Sequence, residues 1–533
     1  MQDGGTVIAR NGIVASSHEL ASFHGAKVLS EGGNVVDAAI ATSAILCVTQ
    51  NNLCGLGGDL FALVKCNGRI WDLNGSGRAS ENATIGFYRD EMKLSAIPKR
   101  GPLACPTVPG IVHAWGELHS KFCTIELKTL LAPAISYARA GFPVTENYAR
   151  SVHASAQFLG EYEGWAQIFL PNGSVPKTGS LLKQPDLSNS LELIANEGPS
   201  TFYEGALAER IAEGISKQGG LVTGDDLKNH SSTWDVPLKT NYRGINVYET
   251  APNSQGATVL LWLNMLEEYD LARKFALDTT ELIELLIDTC LKSYAERSKH
   301  IADPVFHELP SDFISKKFAK SVLHSAPGAP LAGSTVPTNS GDTTYFTIGN
   351  SKGESVSIIQ SNYMGFGSGL VPRGTGFVMH NRGCYFTLDR RHHNSIQPGK
   401  RPFHTLCASM GETESRKTAF TIGCMGGDIQ PQVHVQLMTK MIDYGIDPQR
   451  AISGPRWVIP FTIYEKPSAV YLEPRFETLI PKLASARHKK KLRIEMFDAP
   501  SSQTGHAQAI QFGPEGSLAG GADPRGDGHV VGF

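Results

Sequence analysis

One junction governs what this chain can become: Gly341-Asp342-Thr343-Thr344-Tyr345-Phe346. Ahead of it, LAGSTVPTNS at 331–340 has the composition of an exposed loop. Behind it, TTYFTIGN alternates like a strand, with Tyr345, Thr347 and Gly349 on one face and Thr344, Phe346 and Ile348 on the other. A loop that ends in a threonine at the start of a strand is a place where a chain can cut itself. The Thr343 hydroxyl can attack the Asp342 carbonyl, and hydrolysis of the resulting ester leaves Thr343 as a new N-terminus. A free threonine amine beside its own hydroxyl is a nucleophile and a base in one residue. Locally, Thr-Thr also serves as a plain strand start, as β-branched residues do. The rest of the chain decides between the two.

The 533 residues suffice for two or three ordinary domains or one large layered unit. Net charge is −2 with no long block of either sign, which argues against nucleic acid as the main partner. The short basic run from His488 to Lys491 reads as a solvated face. Residues 1–20 include Asp3, Arg10, His18 and Glu19, so they lack the apolar core of a signal peptide. No stretch approaches 18 uncharged apolar residues, so no membrane span is expected. The nine cysteines are irregularly spaced, without C-x-x-C pairs, and read as reduced, mostly buried thiols. Together these features point to the cytoplasm.

Small and apolar residues crowd 32–47 as in a buried helix, and 128–140, 203–217 and 280–298 have helical periodicity. Strands are expected at 343–349, 354–361, 376–380, 469–473 and 505–512, and a helix at 430–444. Strands, helices and strands in that order suit packed layers. Gly55-Leu56-Gly57-Gly58 is not a G-x-G-x-x-G fingerprint and reads as a turn where backbones pass closely. His392-His393 lacks a second ligand pair at metal spacing, so no metal or other cofactor is expected. Cys384 and Cys407 show no partner set in sequence that would make either a nucleophile.

Further strings stand in a definite order: GGNVVDAAIAT at 32–42, NNLCGLGGDLFALV at 51–64, CPTVPGIVHAW at 105–115, GGLVTGDDL at 219–227 and YRGINVYETAPNSQGAT at 242–258. After the junction come GFGSGL at 365–370, GKRPFHTL at 399–406, MGGDIQPQVHVQ at 425–436 and GGADPRGDGH at 520–529. Nearly end to end, the chain resembles the γ-glutamyltransferase family of self-cleaving N-terminal-nucleophile hydrolases. The resemblance implies an αββα sandwich, two stacked sheets between helical layers. It implies a large subunit of 1–342 and a small subunit of 343–533, and leaves room for a dimer of these. Many relatives are exported, and the missing signal departs from them.

The resemblance also assigns roles. Thr343 is the nucleophile, freed by cleavage after Asp342, and Thr344 follows it. Ser361 stands where the family has a threonine that bonds the nucleophile, and keeps the hydroxyl. Gly426-Gly427, just before a helix, matches the pair whose N–H groups hold the oxyanion; a glycine pair also makes a plain helix-entry turn. The set that grips a γ-glutamyl head group is altered. Tyr363 replaces an asparagine, Tyr385 an acidic residue and His404-Thr405 a serine pair, and the family's arginine has no clean match, Arg78 being shifted. An ammonium group would lose its anionic partner. Arg78 or Arg382 can instead grip a carboxylate. His404 suits either a polar substrate contact or a satisfied buried histidine.

The reading is a self-processed amide hydrolase or acyl transferase of the amidohydrolase-like branch. Its donor is a small carboxylate-bearing amide and its acceptor water or an amine. The alternatives are a true γ-glutamyl (glutathione) hydrolase with an altered pocket, and an uncleaved, non-catalytic binding protein on the same scaffold.

Overall fold

The computed structural model describes residues 5–325, 342–465, 467–488 and 492–533. The loop at 331–340, Gly341, and Lys489, Lys490 and Lys491 of the basic run lie outside the described residues. Two seven-stranded antiparallel sheets stack face to face, with helices on both outer surfaces. The first sheet runs Val7–Ala9, Leu518–Ala522, Ala507–Phe512, Thr418–Cys424, Ser409–Thr413, Ile245–Glu249, Leu238–Tyr242. The second runs His529–Gly532, Gly12–Ser16, Asp342–Asn350, Ser355–Tyr363, Asp59–Cys66, Arg69–Gly75, Thr233–Asp235.

The nucleophile strand, Asp342–Asn350, lies in the middle of the second sheet and is covered on both faces. Its alternation sorts the two. Phe346 and Ile348 join the core beneath the helices, whereas Tyr345 packs between the sheets with Phe61, Leu63, Ile359 and Met410. Polar groups on a doubly buried strand need partners, and they have them. The Tyr345 hydroxyl is 2.7 Å from Ser357 Oγ, and Thr347 Oγ1 lies 2.8 Å from the Val356 carbonyl oxygen and 2.5 Å from Thr421 Oγ1. The hairpin to Ser355–Tyr363 closes on Asn350, whose Oδ1 accepts from the amides of Lys352 and Glu354, with Gly353 at φ 77°.

Behind this sheet lies the Val35–Thr49 helix, buried at every position. A helix without a polar face has to lie inside. Asn34 and Asp37 form a capping box at its start. Asp37 also accepts from the Thr124 and Ile125 amides, tying the helix entry to a neighbouring loop. On the far side, Gly256–Leu266 and Gln430–Met438 pack on the first sheet, and Thr280–His300 packs outside them.

Most expected elements are present. Residues 376–380 are not a strand: Gly374 and Gly376 take positive φ (75° and 74°), and only Met379 bridges, to Gly57. The helix expected at 430–444 ends at Met438 and continues as one π-turn over Thr439–Asp443. In the Gly55–Gly58 turn a Cβ on Gly57 would lie 2.2 Å from the Val378 carbonyl oxygen. All nine cysteines are free thiols, seven of them buried.

Candidate active site

Asp342 pairs with Tyr363 and Thr344 with Gln360, so the partner strand carries one extra residue opposite Thr343. This bulge re-aims Ser361, and Tyr363 takes φ 78°, a left-handed conformation that is costly for an aromatic residue. Backbone strain of this kind collects at functional sites. Ser361 joins both ends of the junction. The Thr343 hydroxyl donates to Ser361 Oγ at 3.0 Å, and Ser361 donates to the Asp342 carbonyl at 2.7 Å. The Tyr363 amide donates to the same Oγ at 2.7 Å, fixing its orientation. Thr344 points the other way, into the layer of Gln360 and Cys54 beneath the helices.

The glycine pair reaches this junction through the sheet stacking. Across the gap between sheets Tyr345 lies over Gly423, and Thr347 over Thr421. Met425, which immediately precedes Gly426-Gly427, lines the same cleft as Asp342. Both glycines have positive φ, 144° and 59°, and a Cβ on Gly426 would lie 2.8 Å from Ile429. Among the described residues neither amide N–H donates a hydrogen bond. Gln255 fixes the pair by donating to the carbonyls of Gly427 (3.0 Å) and Thr405 (2.6 Å).

Beside Tyr363 stands a polar wall. The Arg382 guanidinium lies 3.8 Å from the Tyr363 ring centroid and donates from Nη2 to Thr405 Oγ1 at 2.9 Å. It is 1% exposed, and among the described residues its Nε and Nη1 have no partner. Burial pulls its pKa down, yet a guanidinium stays charged. A buried cation with two free donors is a strong site for an anion. Tyr385 packs on Tyr363 and donates from its hydroxyl to Asp428 Oδ1 at 2.5 Å. Asp428 also pairs with the buried Arg297 at 3.1 Å. Burial pushes the Asp428 carboxyl above its usual value, and Arg297 opposes that shift.

His404 has both ring nitrogens engaged: Nε2 donates to Asp59 at 3.0 Å and Nδ1 accepts from the Leu406 amide. Burial, with Arg382 nearby, lowers its pKa to about 3, so the ring is neutral. Burial would raise Asp59, but His380 at 3.3 Å and His404 together hold it well below the carboxylate range. Burial would lower His380, but Asp59 outweighs it and raises the imidazole to about 10. Arg78 stands apart from this wall: it is half-buried and donates to the Ser231 carbonyl. Cys407 does have a histidine near it in space, with His434 Nδ1 at 4.0 Å and bonded to Glu249 at 3.0 Å. Burial holds that thiol far above its ordinary value, leaving it protonated.

Sequence reasoning missed Asp428 and Arg297. Asp428 was within reach, because it directly follows the glycine pair. Arg297 sits on a distant helix, and nothing local marked it. Also missed was a cleft of about 530 Å³ that opens on Asp342, Gly365, Arg100 and Met425, walled by Asn147–Ser155 and Phe497–Gln503.

The gamma-glutamyltranspeptidase family model matches residues 21–533. The chain is 38% identical to the glutathione hydrolase-like YwrD proenzyme of Bacillus subtilis, covering 99% of both chains. It is 33% identical to the oxamate amidohydrolase proenzyme of Klebsiella pneumoniae, again over 99% of both. Among solved structures, cephalosporin acylase from Bacillus halodurans superposes with a TM-score of 0.91 at 34% identity, covering 99% of this chain and 97% of that one. The two stacked sheets between helical layers and the match along almost the whole length agree: this chain belongs to the γ-glutamyltranspeptidase family of N-terminal-nucleophile hydrolases.

Proposed function

We propose that the chain cuts itself between Asp342 and Thr343 and then works as an amide hydrolase or acyl transferase through a Thr343 ester. The observation that carries this is the relay from the Thr343 hydroxyl through Ser361 to the Asp342 carbonyl. In self-cleavage Thr343 Oγ attacks the Asp342 carbonyl carbon, an ester forms and the C–N bond breaks. The hydroxyl proton ends on the departing Thr343 nitrogen. Water then hydrolyses the ester, leaving an Asp342 carboxylate and a free Thr343 amine. In turnover that amine takes the Oγ proton as the hydroxyl attacks the substrate amide, and the N–H groups of Gly426 and Gly427 hold the oxyanion. The proton goes to the leaving amine, and the acyl group passes to water or to an amine acceptor. Mass spectrometry of the purified protein should give fragments of 1–342 and 343–533, with Thr343→Ala intact and inactive. Cleavage of that variant at the same bond would sink the assignment.

The unpartnered donors of Arg382 support a donor that carries a carboxylate. Arg297 and Asp428 neutralise each other, so Arg382 leaves the wall with one positive charge to match. The substrate is a small carboxylate-bearing amide, held by Tyr363, Tyr385, Thr405 and Arg382. Arg382→Met should lower kcat/KM for a glutaryl anilide by about a hundred-fold, roughly 3 kcal/mol, and spare its methyl ester. Equal losses on acid and ester would end this reading. Asp428 favours a second reading, a γ-glutamyl donor whose ammonium takes the place of Arg297 as its partner. Efficient turnover of γ-glutamyl anilide, lost in Asp428→Asn, would select it.

A further inference from the structure

The Asp342 side chain occupies a site of its own. Its carboxylate lies against Gly365, which draws its pKa down, and a Cβ on Gly365 would fall 2.4 Å from Asp342 Oδ2. Arg100 lines the same cleft and, without a direct ion pair, draws the Asp342 carboxyl down. Nη1 of Arg100 is held by the carbonyls of Gly365 (2.6 Å) and Gly367, and among the described residues its Nε and Nη2 make no hydrogen bond. The site opens into the 530 Å³ cleft, which also reaches Met425 beside the glycine pair. A cation, a backbone donor and a passage to solvent are the parts of a carboxylate site, and the chain fills it with its own residue.

We infer that self-cleavage uncovers a second carboxylate-binding site, made by Arg100 and the Gly365 amide, which Asp342 fills in the precursor. It takes the carboxylate of a small molecule entering through the cleft, the acceptor or the leaving amine. Hydrolysis adds an α-carboxylate to Asp342 next to its side-chain carboxylate. Two anions sharing one guanidinium repel, and Asp342 is no longer tied to the strand. The inference rests on cleavage at Asp342-Thr343 but not on the Arg382 pocket.

Thermal shift with succinate, against neutral succinamide, tests it. Succinate should stabilise the processed enzyme by several degrees beyond succinamide and leave the Thr343→Ala precursor unmoved. The uncleaved Asp342→Ala/Thr343→Ala double variant, with the site emptied, should regain the shift. Adding Arg100→Gln to that pair should abolish it, and Arg100→Lys should keep part of it. These variants need no self-cleavage, so loss of processing cannot mimic loss of binding. Equal shifts in the precursor and the double variant would overturn the site. So would a shift that survives Arg100→Gln and disappears with Arg382→Met. If Thr343→Ala itself cleaves, the nucleophile assignment has failed instead.

Discussion

Ser361 accepts from Thr343 and Tyr363 and donates to Asp342, so its hydroxyl serves both partners of the scissile bond. Ser361→Ala should slow self-cleavage by about a hundred-fold or more, in the range of general acid–base contributions. Ser361→Thr should restore it, measured as the half-life of the full-length chain. A rate unchanged in the alanine variant would remove Ser361 from the reaction. Asp342 supplies a pH signature. Burial raises its carboxyl to about 6, against the opposing pull of Arg100 and the Gly365 amide. Arg150, Asp498, Arg525 and Asp527 line the same cleft. The folded precursor binds this proton more tightly than the unfolded chain does. The resulting stability is therefore full below pH ~4 and is lost as pH rises through about 6. In the Thr343→Ala background, Asp342→Asn should flatten this part of the stability profile, a change on the order of 2–3 kcal/mol between those limits. A profile with the same slope in both chains would refute it.

The elements show what could be read from the sequence and what could not. The alternation from Tyr345 to Gly349 gave the strand and its two faces, because side chains on a strand alternate whatever covers them. It did not reveal that both faces are buried, which depends on layers far away in sequence. The crowded small residues of 32–47 marked a buried helix for the same local reason, and the helix runs Val35–Thr49. Residues 376–380 look apolar enough for a strand, but the positive φ of Gly374 and Gly376 turns the chain out of register. The wall beside Tyr363 was half legible. Tyr385 and Thr405 were singled out as replacements at the family's pocket positions and Arg382 as an alternative to Arg78 for gripping a carboxylate, whereas the Arg297–Asp428 pair forms only when a helix and a turn 131 residues apart meet. The glycine pair gives the test at this scale. Gly426 lies at φ 144° with Ile429 in the way of any Cβ, so Gly426→Ala must shift the turn that presents the two amides. Removing one oxyanion donor costs about 10²–10³ in kcat. Gly426→Ala should show a loss of that order at nearly unchanged KM. A variant with normal kcat would leave the pair as a helix-entry turn only.

Across the whole molecule the proposed cut divides the strands evenly and separates nothing. Residues before it give three strands to the first sheet and four to the second, and residues after it give four and three, seven from each piece. The nucleophile strand lies between Gly12–Ser16 from one piece and Ser355–Tyr363 from the other. No disulfide links them, since all nine cysteines are free. Their union therefore rests on ladder hydrogen bonds and on apolar surface shared by both pieces in the two seven-stranded sheets. Interfaces of that kind, resembling a domain core cut in two, do not dissociate on dilution. The processed enzyme should elute from a sizing column as one species at nanomolar concentration, with or without reductant, and resolve into two bands only under denaturing conditions. Its unfolding in urea should be a single transition followed equally by tryptophan fluorescence and by circular dichroism, because neither piece keeps a complete seven-stranded sheet alone. Two separated transitions, or release of the 343–533 piece by dilution without denaturant, would show that the halves fold independently and that the shared sheets do not hold the enzyme together.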